Sequence, residues 1–134
     1  MSQPTKLKRK TGTKRGPLIY LVDDEPLLLD LAEVTLQHDY FVKKFLDPAM
    51  ALKSFRKESM PPALLITDYA MGKINGIELL TKCKELSPGL KTLLLSGTAG
   101  AEIVLNAPVR VDRFLGKPYV PSVLLDTVRQ LLTE

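Results

Sequence analysis

The sequence predicts a parallel α/β sheet with helices on both faces, and three observations predict it. Short, continuous apolar runs recur along the chain, as in strands buried on both faces. Stretches with helical apolar spacing separate those runs, and proline, aspartate, asparagine or glycine marks most of the changeovers. Alternation of this kind, repeated five times, is the signature of parallel strands joined by crossover helices.

The elements follow in order from Leu18. Leu18-Ile19-Tyr20-Leu21-Val22 is an apolar run ending in acids, a buried strand. Pro26 suits the first turn of a helix that continues to about Gln37, with Leu28, Leu31, Ala32 and Thr35 at helical spacing beside Leu27, Val34 and Leu36. Phe41 to Leu46 is a second strand, less apolar and so expected at an edge. Asp47 caps a helix from Pro48 to Glu58, with Met50, Leu52 and Phe55 as its inward candidates. After the Met60-Pro61-Pro62 break, Ala63 to Thr67 forms a third strand that ends at Asp68. Asn75 caps a helix to about Leu86, stopped by Ser87-Pro88-Gly89. Lys91 to Leu95 is a fourth strand ending at Ser96, and Val111 to Leu115 a fifth, ending just before Lys117. Between them Ala101 to Asn106 makes a short helix limited by Pro108. Pro121 opens the last helix, striped by Val123, Leu124, Val128, Leu131 and Leu132.

Composition narrows the class. The 134 residues fit one domain with a real core, and 45% apolar with 25% charged residues is ordinary for a globular protein. No apolar run approaches the roughly 18 residues of a membrane span. The N-terminus lacks the apolar stretch of a secretory signal, so a cytoplasmic protein without a transmembrane segment is expected. A lone Cys83 excludes an internal disulfide and a cysteine-based zinc cage. Sharing a helix face with Leu79, Leu80 and Leu86, it reads as a buried thiol.

The net charge of +4 belongs to a tail. Lys6, Lys8, Arg9, Lys10, Lys14 and Arg15 precede Pro17 with no acid among them. Setting those six aside leaves 13 basic against 15 acidic residues, so the body is about −2. Residues 1–17 carry too little apolar surface to offset ordering entropy and read as a disordered basic tail, with the folded domain at 18–134. Residues 6–15 could contact nucleic acid or an anionic surface. With no aromatic residue in the tail to stack on bases, a solvated or protein-docking role is the favoured reading.

Ligand sites in such sheets lie beyond the carboxyl ends of the strands. Those ends carry Asp23-Asp24, Asp68, Ser96 and, after the fifth strand, Lys117. Three carboxylates, a hydroxyl and an ammonium therefore converge on one rim. Clustered carboxylates repel, and a divalent cation removes that penalty. An oxygen-only ligand set favours magnesium or a similar hard ion. Beside such an ion a carboxylate can take up a phosphoryl group, a reaction that needs positioning and charge neutralisation more than proton chemistry.

In these residues the chain resembles the response-regulator receiver domains of two-component signalling. The marks are Asp23-Asp24 after an apolar strand, Asp68 followed by Met71 and Gly76, Ser96-Gly97, and Phe114-Leu115-Gly116-Lys117-Pro118. Asp24 and Asp68 are 44 positions apart, Asp68 and Ser96 are 28. The resemblance covers Leu18 to about Leu132 and implies the flavodoxin-like strand order 2-1-3-4-5. It implies that Asp68 is the phosphoacceptor and that Asp24, Asp68 and the backbone carbonyl of Ala70 hold Mg2+ (or Mn2+), with Asp23 acting through water. It implies that Lys117 pairs with the phosphoryl group, that the Lys117-Pro118 peptide is cis, and that Ser96 and Phe114 form the switch. The altered face would be Ala99 to Asn106, Val111 to Leu115 and the last helix. The implied partners are a histidine kinase or phosphotransfer protein and an unnamed downstream protein target.

Two departures stand out. Gly72 occupies a position where the family commonly has proline, and the stretch from Gly97 to Arg110 lacks the usual long fourth helix. Other readings are a degenerate receiver used only as an interaction module, the receiver of a larger hybrid kinase, and a small phosphotransferase or phosphatase acting on free substrates. The last would call for an acid at position 70, which is alanine, and a cap for which the chain has no room. Met1 and a self-contained final helix favour a free-standing protein. His38, near a helix C-terminus, reads as a solvated helix-end residue.

Overall fold

The computed structural model describes residues 16–97 and 100–134, so the expected disordered tail over residues 1–15 lies outside the described residues. The chain runs β1 (Leu18–Val22), α1 (Pro26–Leu36), β2 (Phe41–Phe45), α2 (Pro48–Lys57), β3 (Leu64–Asp68), α3 (Gly76–Leu86), β4 (Lys91–Ser96), α4 (Ala101–Leu105), β5 (Arg113–Gly116) and α5 (Pro121–Thr133). The five strands pair in parallel in the order β2-β1-β3-β4-β5. Gly16 and Pro17 already join the fold, since Gly16 donates its N–H to the Asp39 carbonyl and the Pro17 carbonyl accepts from Phe41.

Successive side chains of a strand point to opposite faces, and both faces here are covered. Ile19, Leu21, Leu64, Ile66, Leu93 and Leu95 pack under α1 and α5, against Leu29, Ala32, Leu36, Leu124, Val128 and Leu131. Tyr20, Val22, Leu65 and Leu94 pack under α2 and α3, against Ala51, Leu52, Phe55, Leu79, Leu80 and Cys83. That double burial is why the strand sequences read as unbroken apolar runs. It also pushes the Cys83 thiol up to about 12, the value of an inert core cysteine.

Helix starts follow local chemistry. Proline opens α1, α2 and α5. Asp47 accepts from the Ala49 N–H at 2.9 Å, and Asn75 and Glu78 form a reciprocal capping box at the start of α3. His38 is exposed just past the end of α1.

Five expectations need correction. In α1 the inward positions are Leu29, Ala32 and Leu36, while Leu31 is 46% exposed. With leucine at 27, 28, 29 and 31, more than one helical phase offers an apolar stripe, and packing under β1 selects this one. In α2, Ala51 faces in and Met50 is 54% exposed, because contact with the sheet favours the smaller residue. Leu86 and Val123 are likewise exposed, at the fringes of their stripes. Strand β5 begins at Arg113 instead of Val111, because the Asp112 side chain takes the Thr92 N–H at 2.8 Å where a ladder carbonyl would otherwise sit.

Asp112 is the centre of a buried polar cluster at the amino-terminal edge of β4 and β5. It accepts from the Thr92 hydroxyl at 3.0 Å and pairs with Lys84 of α3 at 3.2 Å and with the more exposed Arg110 at 3.1 Å. Burial alone would raise its carboxyl pKa, but the hydrogen bonds from Thr92 and Lys84 outweigh burial and leave it lowered. Asp112→Ala is expected to cost about 3 kcal/mol in urea unfolding at neutral pH, the order observed when one partner of a buried pair is removed. A folded pKa below the unfolded value of about 3.9 makes this contribution complete above pH 4. The gap between wild type and variant should narrow as pH falls through the folded value.

Gly76 is required by close approach. A Cβ there would lie 2.3 Å from the Asp68 carbonyl oxygen and 2.9 Å from Leu94 Cδ1. Gly72 has open space around it but a φ of 70°, a left-handed conformation that suits glycine. Gly76→Ala is expected to lower stability by about 1–3 kcal/mol through overpacking, and Gly72→Ala by about 1 kcal/mol through backbone strain alone. Gly89→Ala, which meets nothing within 4 Å and has no left-handed φ, is the neutral control in the same denaturation series.

Candidate functional site

Because the strands are parallel, their carboxyl ends share one rim. The pairing of Val22 with Thr67 sets Asp23 beside Asp68, and Asp68 in turn lies across from Leu95. Ser96 pairs with Gly116, and its carbonyl accepts the Lys117 N–H at 2.8 Å. Asp23 donates its own N–H to the Phe45 carbonyl, which extends the β1–β2 ladder to the site. The Lys117-Pro118 peptide is cis, as expected.

The Lys117 ammonium sits among three carboxylates, at 2.9 Å from Asp23 Oδ2, 3.3 Å from Asp68 Oδ1 and 3.3 Å from Glu25 Oε1. Asp23 and Asp68 are buried, at 4% and 6% exposure, whereas Glu25 is open to solvent. Asp23 uses its other oxygen to accept the Glu25 N–H at 3.0 Å. Burial raises the Asp68 pKa; the Lys117 charge works against that rise and the Asp23 charge adds to it. Burial alone would lower the Lys117 pKa, but hydrogen bonding and charge from Asp23 and Asp68 raise it well above the ordinary lysine value. The ammonium therefore stays protonated through neutral pH.

Carboxylate oxygens of Asp23, Asp24 and Glu25 lie within 4.8 Å of one another. With Asp68 added, one ammonium faces four acids, and a negative excess remains at the rim. Oxygen-only donors carrying such an excess suit a hard divalent cation, so the residues present fit a magnesium-type ion.

Lys117 contacts both Asp23 and Asp68, and Asp24 lies beside Asp23 in the acidic trio. Ser96 is buried at the tip of β4. Ala70 is exposed in the loop after β3. Phe114 lies in β5 opposite Leu94, half-buried and packed against the α2–α3 side of the core together with Val104 and Val109. Sequence reasoning missed Glu25. The available signal was a third consecutive acid before Pro26, obscured because two acids already completed the expected pair.

Comparison with known proteins agrees with this geometry. The family model described as response regulator receiver domain matches residues 19–129. The chain is 28% identical over 116 residues to the hydrogenase transcriptional regulatory protein HoxA of Cupriavidus necator, covering 84% of this chain and 23% of HoxA. It is 28% identical over 111 residues to the response regulator receiver protein CpdR of Brucella abortus, covering 82% of this chain and 91% of CpdR. Among solved structures, the BeF3-activated receiver domain of DrrB, a Thermotoga maritima protein, superposes with a TM-score of 0.78 at 26% identity, over 88% of this chain and 98% of that one. The chain thus spans about a quarter of HoxA but nearly all of CpdR. A doubly wound sheet in the order 2-1-3-4-5, acids at two strand tips, a lysine after the fifth strand and a family match over most of its length place this chain in the response regulator receiver domain family.

Proposed function

We propose that this domain accepts a phosphoryl group on Asp68 from a histidine kinase or phosphotransfer protein and thereby switches a protein-binding surface. The observation that carries the reading is the Lys117 ammonium held between the buried carboxylates of Asp23 and Asp68. Asp23, Asp24, Asp68 and the Ala70 backbone carbonyl would hold Mg2+ or Mn2+. When bound, that ion supplies positive charge to neutralise the acids and the incoming phosphoryl oxygens.

The transfer itself needs little from the protein beyond placement. An Asp68 carboxylate oxygen attacks phosphorus, the bond from phosphorus to the donor imidazole nitrogen breaks, and that nitrogen keeps the electron pair. Lys117 then exchanges its carboxylate partners for a phosphoryl oxygen, and the Ser96 hydroxyl turns toward another. Phe114 follows into the space Ser96 leaves. The face so altered comprises residues 100–106, Val111 to Leu115 and α5; Ala99 lies outside the described residues. On α1, which starts next to the acids, Leu27, Leu31 and Val34 form an exposed apolar stripe suited to a docking donor protein.

Position 70 is alanine, so the acid that a phosphotransferase acting on free substrates would call for two residues after Asp68 is missing from that position, which supports a signalling role over turnover catalysis. Among the described residues no helix is long and apolar enough to cross a membrane, and a cytoplasmic location goes with the proposed donor.

Acetyl phosphate with Mg2+ is expected to add the mass of one phosphoryl group, and chelation or Asp68→Asn to abolish the addition. Lys117→Ala should slow labelling roughly a hundredfold, the order lost with one charge-stabilising group. Beryllofluoride with Mg2+ should shift amide resonances of Ser96, Phe114 and α4. No labelling and no shift under saturating conditions, or labelling that survives Asp68→Asn, would overturn the proposal.

A further inference from the structure

Helix α2 carries a basic ridge between two clefts. Lys53 and Lys57, one turn apart, line both of them. On one side a cleft of about 400 Å³ is lined also by Leu52, Ile74 and Arg56. On the other, a cleft of about 350 Å³ is lined also by Phe45, Met50 and Lys43, with Glu58 the one acid lining either.

Four cations against one anion is a local excess on a body whose overall charge is about −2. The helix dipole accounts for Arg56 and Lys57 in the last turn of α2. It does not account for Lys53 at mid-helix or Lys43 on β2. Where acids are in reach, lysines of this protein pair with them, as Lys44 does with Asp30 and Glu33. Among the described residues, Lys53, Arg56 and Lys57 form no ion pair. Lys43 instead rests at 3.0 Å from the Ser54 hydroxyl and lies over the Tyr20 and Phe45 rings. Beside this charge Met50 is 54% exposed, a flexible apolar side chain of the kind that adapts to a partner.

We infer that the β2–α2 face binds an acidic segment of a partner protein, with carboxylates along the Lys53–Lys57 ridge and apolar side chains seated in the two clefts. Complementary charge selects the sign of the partner and the apolar walls select a peptide. Nucleic acid fits the two clefts less well, because Phe45 is the one ring that lines either and Lys43 lies over it, while Tyr20 behind it is buried. The site shares no residue with the Asp68 rim and does not depend on phosphorylation there.

The test is a backbone amide titration of the full chain at physiological salt. One probe is a synthetic peptide alternating glutamate with leucine and phenylalanine, a second is polyglutamate, and a third is a single-stranded oligonucleotide. The alternating peptide is expected to shift residues 43–57 and 74, and to bind roughly tenfold more tightly than polyglutamate. Lys53→Glu combined with Lys57→Glu should weaken that binding roughly tenfold or more while leaving the melting temperature and acetyl phosphate labelling unchanged. Equal binding of polyglutamate would reduce the face to a counterion sink and overturn the inference. Tighter binding of the oligonucleotide, shifts elsewhere, or no shifts would overturn it as well.

Discussion

A single ammonium shared by several carboxylates is the constraint on which the rest of this structure turns. Neighbouring strands lie about 4.8 Å apart, so acids at the tips of β1 and β3 cannot retreat from one another without breaking the ladder. Hydrophobic burial on both faces holds that ladder in place, and the cost of crowding charge at its rim is met by cohesion elsewhere. Lys117 offsets part of the repulsion from Asp23, Glu25 and Asp68 and leaves the remainder uncompensated. The fold therefore maintains a site that is stable as built yet attracts further positive charge.

The two ends of the sheet make an instructive contrast. At the amino-terminal edge, Asp112 has its hydrogen-bonding needs met by Thr92 and its charge by Lys84 and Arg110. At the carboxyl rim, cations are outnumbered. The same residue types thus give a charge-balanced cluster at one end and an acid-rich one at the other. What differs is the ratio of donors to acceptors, not depth of burial alone, since Asp23, Asp68 and the Asp112 side chain are all largely withdrawn from solvent.

Much of this was legible in the sequence, for physical reasons. A strand buried on both faces must be apolar throughout, so Leu18–Val22, Leu64–Asp68 and Lys91–Ser96 announce themselves, and the polar residue ending each run marks the rim. Caps such as Asp47 and Asn75 are local chemistry and read directly. The phase of α1 was not legible, because the leucines at 27, 28, 29 and 31 satisfy several helical faces and only the partner layer decides among them. Asp112 was not legible either. An acid beside an arginine near the start of an expected strand looks solvated until β4 and α3 supply Thr92 and Lys84 from elsewhere in the chain. The loop after Asp68 shows a compensation that pattern alone does not reveal: where the family commonly uses proline, Gly72 turns the chain through a left-handed residue.

Strand β5 spans only Arg113 to Gly116, bracketed by Asp112 at one end and Lys117 at the other. Both brackets are charged residues held by partners on other elements, Asp112 by Lys84 and Thr92 and Lys117 by Asp23 and Asp68. Phe114 therefore sits in a strand whose two flanks are tied by charge to different parts of the sheet, one at the amino-terminal edge and one at the carboxyl rim.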